Sequence, residues 1–160
     1  MDNFKINTYF KIIFLISIVS LISAYFIEFI LGHQPCNLCL IERIPYGLSL
    51  ILITVNFMLK KKEKIFIFLL ILIFIFSFFI SFYHFGIEQG FFQESPICEI
   101  NTTKDVLSKE ELLKQLSERT ISCKDVTFMI FGLSLTSINV ILSLMITTFL
   151  IKIFFTYEKN

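Results

Sequence analysis

Four runs of apolar residues, at positions 10–31, 39–59, 65–83 and 128–151, take up more than half of this 160-residue chain. Each can cross about 30 Å of hydrocarbon at about 1.5 Å of rise per residue, the second only if it starts near Cys39. Charged residues make up 17% of the sequence and the mean hydropathy is +0.80, which is too apolar for a soluble globular domain, where charged residues alone reach about a quarter. The expected fold is therefore all-α, an integral membrane four-helix bundle in a single domain over 1–160. Two extracytoplasmic loops, at about 32–38 and 84–127, complete it and leave no room for a separate soluble enzyme domain. The chain has 21 Phe and no Trp, and the Phe-rich stretch within 65–82 is read as lipid-facing surface.

The first run follows Lys5 and contains Lys11, as a signal peptide would, but it is longer than a signal core. It also lacks a small-x-small cleavage site, so it is expected to stay as an anchor. Orientation follows from the lysines. The two tails and the turn Lys60-Lys61-Lys62-Glu63-Lys64 hold eight Lys against Asp2, Glu63 and Glu158, which by the positive-inside rule places them in the cytoplasm. The long loop carries five basic and eight acidic residues and is expected outside. Within it, Ser108-Lys109-Glu110-Glu111 has the form of a capping box. Leu112, Leu113 and Leu116 then share one face of a short helix, which either rests on the membrane surface or is a solvated linker.

All four cysteines, Cys36, Cys39, Cys98 and Cys123, fall in or at the edge of the outward loops, on the side where disulfides persist. Four cysteines allow three pairings, and spacing alone does not choose among them. Cys36 and Cys39 form a Cys-x-x-Cys unit, whose tight ring is characteristic of catalytic disulfides. They are read as one pair, with Cys98 and Cys123 as the other.

The first pair directly precedes a spanning helix, where unpaired N–H groups and the helix dipole favour a thiolate. A continuous helix would bring Arg43 onto the face of Cys36 and Cys39, placing a cation beside the nucleophilic sulfur. The other reading makes Arg43 an interfacial anchor that reaches the headgroups or pairs with Glu42. Pro45 has no N–H for the carbonyl of Ile41 and is expected to kink the helix just past the motif.

Thiol–disulfide exchange proceeds by thiolate attack through a mixed disulfide, so two pairs on one side of a membrane can pass oxidation state between them. An acceptor held in the apolar layer beside Cys39 and Arg43 would be lipid-soluble, and quinones are the obvious class.

These features together resemble the disulfide bond formation protein B family. The likeness rests on Pro35-Cys36-Asn37-Leu38-Cys39-Leu40-Ile41-Glu42-Arg43 and Tyr83-His84-Phe85-Gly86-Ile87-Glu88. Pro96-Ile97-Cys98, Cys123, and Gly132-Leu133-Ser134-Leu135 with Asn139 extend it. It implies a membrane thiol–disulfide oxidoreductase of the bacterial inner membrane that reoxidises a periplasmic thioredoxin-fold partner of the DsbA type and passes the electrons to a quinone, ubiquinone being favoured over menaquinone.

The same resemblance gives Cys98 as the sulfur attacked by the reduced partner and Cys123 as its resolving mate. Cys36 would exchange with that pair and Cys39 would contact the quinone, with Arg43 supporting both thiolate and quinone oxygen. His84 would hydrogen-bond the quinone head, its plainer reading being a satisfied interfacial histidine. Membrane lipid and quinone are the other expected partners, with no nucleic acid and no metal. Glu28, embedded near the outer end of the first helix, is a functional candidate because a carboxylate there is costly, although it lies within a turn of water.

The rival from another class is a metal-handling membrane protein in which the four thiolates close one zinc or copper site. A structural anchor braced by two inert disulfides is a second rival, and the vitamin K epoxide reductase group a third. In that group the Cys-x-x-Cys lies late in the chain rather than before the second helix.

Overall fold

No water is on hand for the backbone inside a hydrocarbon layer, so an apolar run of this length closes its own N–H and C=O groups as a helix. The computed structural model describes residues 3–59, 63–93, 122–124, 128–130 and 132–158. Among them α1 is Asn3–Phe29, α2 the short Asn37–Ile41, α3 Ile44–Leu59, α4 Glu63–Glu88 and α5 Leu135–Glu158. A two-stranded hairpin, β1 (Met129–Ile130) and β2 (Leu133–Ser134), precedes α5 and pairs Met129 with Ser134 and Ile130 with Leu133. Four segments are long and apolar enough to span a membrane: Asn7–Phe29, Asn37–Leu59, Glu63–Glu88 and Leu135–Thr156. The chain is a multi-pass membrane protein.

Three boundaries differ from the sequence reading for identifiable reasons. Helix α5 starts at Leu135 rather than at 128, because Ser134 caps it: its Oγ accepts from the backbone N–H of Ser137 at 3.1 Å. Gly132 turns the hairpin ahead of the cap in the left-handed region, at φ 82°. Helix α4 runs past 83 to Glu88, where Gly90 takes up φ 77° and the N–H groups of Phe91 and Phe92 close back on the Gly86 carbonyl at 2.8 and 3.1 Å. The second spanning helix is broken between Ile41 and Ile44, as Pro45 led one to expect, so Cys36, Cys39 and Arg43 do not lie on one continuous helix. The amphipathic helix expected near 108–116 lies outside the described residues.

Helix α1 packs on α3, α3 on α4, and α4 on α5 in the most extensive of these interfaces. Small and polar side chains sit buried where helices meet, among them Ser17, Ser49, Ser77, Ser81 and Ser143. Such residues let backbones approach closely in lipid. The Ser17 and Ser49 hydroxyls, 2.8 Å apart, join α1 to α3. The main core gathers Phe10, Ile13, Ile53, Leu70, Phe74 and Leu150, while Ile22, Phe79 and Met145 are exposed on the outside of the bundle. Helices α1 and α5 form no comparable interface, although the rings of Tyr9 and Phe149 meet edge-on at 5.2 Å near one end. Toward the cysteines these two helices leave a gap, which positions the site.

Candidate functional site

Cys36 is the N-cap of α2, with its sulfur accepting from the backbone N–H of Cys39 at 3.3 Å. The cap turn brings the two sulfurs to 2.9 Å, and both cysteines are free thiols in this structure. Cys36 is buried, and its sulfur lies 3.5 Å from His84 Nε2. Its thiol is lowered from 9.0 to about 4. The hydrogen bond with the Cys39 sulfur is the chief cause, burial opposes it, and His84 adds to it by hydrogen bond and charge. Cys36 is thus held as a thiolate at neutral pH.

The far side of the imidazole is fully engaged. Nδ1 lies 2.8 Å from Glu42 Oε1 and 3.3 Å from Thr136 Oγ1. The Thr136 hydroxyl itself donates to Glu88 Oε1 at 2.7 Å, so its oxygen is left to accept. Two acceptors facing Nδ1 place the ring proton there and leave Nε2 to exchange a proton with Cys36. A polar cluster continues behind. Asn139 Nδ2 donates to Glu42 Oε2 at 2.8 Å and to Ser81 Oγ at 2.7 Å, Tyr46 OH bonds Asn139 Oδ1, and Ser134 Oγ donates to Glu88 Oε2 at 2.6 Å. Glu42, Tyr46, Ser81, His84, Ser134 and Thr136 are buried, and Glu88 and Asn139 are partly buried beside them, where an unpaired polar group is expensive.

The gap between α1 and α5 is a cavity of about 300 Å³, within the size range of small-molecule sites. Val19, Ala24, Ile27, Ile138 and Leu142 supply most of its wall, and Cys39, Glu42, Arg43, Tyr46, Asn139 and His33 bring polar atoms to it. An apolar slot with a polar edge suits a flat, lipid-soluble ring. Cys39, not Cys36, lines it.

Arg43 is on the cavity wall, but its partner is not Glu42 as one sequence reading had it. Its Nη1 lies 2.5 Å from Glu28 Oε2, and its guanidinium covers the Tyr25 ring at 4.9 Å. Glu28, singled out for its cost in an apolar run, is therefore the counter-ion of Arg43. His84 is not among the cavity-lining residues, and its two ring nitrogens face Cys36 and Glu42.

Cys123 is disulfide-bonded and buried, and it packs in one small cluster with Cys36, Leu38 and Ile87. Cys98 lies outside the described residues. A four-thiolate metal site needs Cys123 as a thiolate, which its disulfide precludes. The donors of Cys36, Cys39 and His84 lie within 4.8 Å of one another, but three donors do not close a structural zinc site. The arrangement is that of a thiol pair with its own base.

Sequence reasoning gave no role to Glu42 beyond a partner for Arg43, and none to Thr136, Tyr46, Ser81 or Ser134. A usable signal existed for Glu42, which like Glu28 is a carboxylate inside a spanning segment.

Comparison with known proteins gives consistent results. Residues 7–153 match the family model described as disulfide bond formation protein DsbB. An uncharacterised protein of Rickettsia prowazekii (strain Madrid E) is 34% identical over 161 residues, covering 99% of this chain and 92% of that one. No solved structure matches.

Proposed function

Because the chain belongs to the disulfide bond formation protein DsbB family and is by that membership a membrane disulfide oxidoreductase, we propose that it reoxidises an extracytoplasmic thioredoxin-fold protein of the DsbA type and delivers the electrons to a membrane quinone. One observation carries the reading: the first cysteine pair faces two ways. Cys36 shares a small buried cluster with the disulfide-bonded Cys123, whereas Cys39 lines the cavity between α1 and α5. A pair that hands electrons from a protein disulfide to a lipid-soluble acceptor needs those two exposures.

In this reading Cys98 and Cys123 form the disulfide that the reduced partner attacks, Cys98 taking the mixed disulfide and Cys123 resolving it. The thiols so formed reduce the Cys36–Cys39 disulfide by attack at Cys36, and Cys39 leaves toward the cavity. The low pKa of Cys36 favours it as the leaving sulfur in one direction and as the nucleophile that re-forms the pair in the other. Cys39 and Arg43 would hold the quinone ring at the polar edge, with Val19, Ala24, Ile138 and Leu142 against its apolar faces. A quinone supplies there an acceptor for two electrons and two protons. Arg43, pinned by Glu28 and Tyr25, presents a fixed positive charge where negative charge develops. The lysine distribution supports both termini and the Lys60–Lys62 turn in the cytoplasm, with the cysteines outside.

The test is anaerobic mixing of the detergent-purified protein with ubiquinone or menaquinone analogues and a reduced periplasmic dithiol protein, followed by quinone absorbance. Stoichiometric reduction that is lost in Cys39→Ser supports the proposal. Failure with both analogue classes, with the dithiol protein still being oxidised, would show that the electrons leave elsewhere.

A further inference from the structure

In the reduced pair Cys36 is a thiolate whose proton rests on the His84 ring, and Cys39 is a thiol. Oxidation forms one S–S bond, breaks the Cys39 S–H bond and releases two electrons and two protons, one from Cys39 and one from the ring. If a quinone in the cavity is the acceptor, as proposed above and as this inference assumes, both protons must reach the same place as the electrons. Cys39 lines the cavity and can release its proton there directly. Cys36 cannot: it is 5% exposed, it is not among the cavity-lining residues, and among the described residues its sulfur bonds to Cys39 and the His84 ring.

An unbroken chain of polar atoms nevertheless leads from Cys36 to the cavity. Its sulfur faces His84 Nε2 at 3.5 Å, His84 Nδ1 faces Glu42 Oε1 at 2.8 Å, and Glu42 lines the cavity wall. We propose that Glu42 is the proton exit of Cys36, carrying that proton through the His84 ring into the cavity that Cys39 lines, so that electrons and protons reach one acceptor by separate routes. With the Cys36 proton on Nε2 and the other ring proton on Nδ1, oxidation removes the thiolate charge facing the ring, the Nδ1 proton passes to the Glu42 carboxylate, and Glu42 gives it up at the cavity wall. The same steps in reverse return the proton to the ring beside the Cys36 thiolate when the pair is reduced again.

Two features make Glu42 the relay rather than a bystander. Its second oxygen is fixed by Asn139 Nδ2 at 2.8 Å, so the first stays aimed at the ring. The other nearby carboxylate, Glu88, is held off by the Thr136 hydroxyl and by Ser134, reaches the ring only through Thr136, and does not line the cavity. The ionisable groups around His84 are thus Cys36 and Cys39 from α2 and its cap, Glu42 in direct contact, and Glu88 behind Thr136. Glu42 does not touch the Cys36 sulfur and acts on it through His84, so it is a positioning residue for that thiol, a role it combines with proton release at the cavity wall.

The experiment uses the full chain in detergent, fully reduced, as wild type, Glu42→Gln and Glu42→Asp. The first readout is the pH dependence of alkylation at Cys36, quantified for that residue by peptide mass spectrometry with no quinone present. The wild-type midpoint is expected near 4. Glu42→Gln is expected to raise it by about one pH unit or more, since an imidazole without its carboxylate is a poorer proton holder, and Glu42→Asp to recover part of the shift.

The second readout is the pH profile of single-turnover thiol oxidation by a quinone analogue. Glu42→Gln is expected to lose about a hundredfold, most at high pH where free protons are scarce, with partial recovery in Glu42→Asp. A Cys36 midpoint and a rate profile unchanged in Glu42→Gln would overturn the relay, as would a pH-independent loss of rate with the midpoint unmoved. If Glu42→Gln does not accumulate, His84→Gln cuts the same chain and must give the same raised midpoint for the proposal to stand. A wild-type protein that reduces no quinone analogue would defeat the assignment of the acceptor, while the alkylation result would still decide whether Glu42 governs the Cys36 proton.

Discussion

Arg43 and Glu28 meet at 2.5 Å across two different helical segments, Arg43 in the break between α2 and α3 and Glu28 in the last turn of α1. Their side chains are 14% and 22% exposed, so the pair is partly shielded and closes the upper end of α1 onto the cysteine motif. Removing the carboxylate leaves a largely buried guanidinium that keeps the Tyr25 ring beside it but loses its ion-pair partner. Glu28→Ala is expected to lower stability in detergent by about 1 to 3 kcal/mol, read by thermal unfolding. It should also weaken quinone-analogue binding, because Arg43 is then free to leave the cavity wall. An unchanged melting profile together with unchanged binding would show that Arg43 needs no anchor.

The Cys36 thiol gives a pH dependence of known sign. Its native value of about 4 lies below the ordinary 9.0, so the native state binds fewer protons than the unfolded one between those limits. The stabilisation from this thiolate is therefore fully present above pH 9.0 and is lost as pH falls through about 4. Reduced wild-type protein should gain stability over Cys36→Ala as pH is raised across that interval, measured by thermal unfolding at a series of pH values. Replacing Cys39 by Ala removes the largest cause of the depression and should bring the titration of Cys36 back toward the ordinary thiol range.

Ser134 does two jobs, capping α5 through Ser137 N–H and donating to Glu88 Oε2 at 2.6 Å. Ser134→Ala is expected to cost about 1 kcal/mol for the cap, with a further loss for the Glu88 bond. Ser134→Asp restores the capping acceptor but faces Glu88 with a like charge, so it should recover little. The melting temperatures of the two variants in one detergent decide this.

If Cys36 and Cys39 work as a thiol pair with His84 as their base, they need no metal. Treatment of the purified protein with a strong chelator should leave the dithiol-oxidising rate and the free-thiol titre after mild reduction unchanged. A rate that collapses on chelation and returns with added zinc or copper would restore the metal-handling alternative.

The hydropathy pattern was enough to recognise four spanning helices, because segments in lipid have to satisfy their backbones internally and need about 20 apolar residues to do so. Local chemistry also showed through. Pro45 marked the break that separates α2 from α3, and the Cys-x-x-Cys unit did become a capped turn with its sulfurs 2.9 Å apart. Hydropathy alone misplaced the ends of α4 and α5. It continued the last run back to 128 through Leu133, where a serine cap and Gly132 set the true start at Leu135, and it stopped before His84, whose ring is polar although the helix goes on through Glu88.

What residue type and spacing determined was the membrane location, the helical class and the approach of two thiols within one turn, since all of these follow from composition and from neighbours within a turn. What only the tertiary structure decided was who faces whom over long stretches of chain. Glu42 left its sequence neighbour Arg43 for His84, 42 residues on, and for Asn139, 97 residues on, while Arg43 turned back to Glu28. A buried charge takes whichever partner the helix packing brings within about 3 Å, and helix packing depends on side-chain shape across the whole bundle rather than on order along the chain.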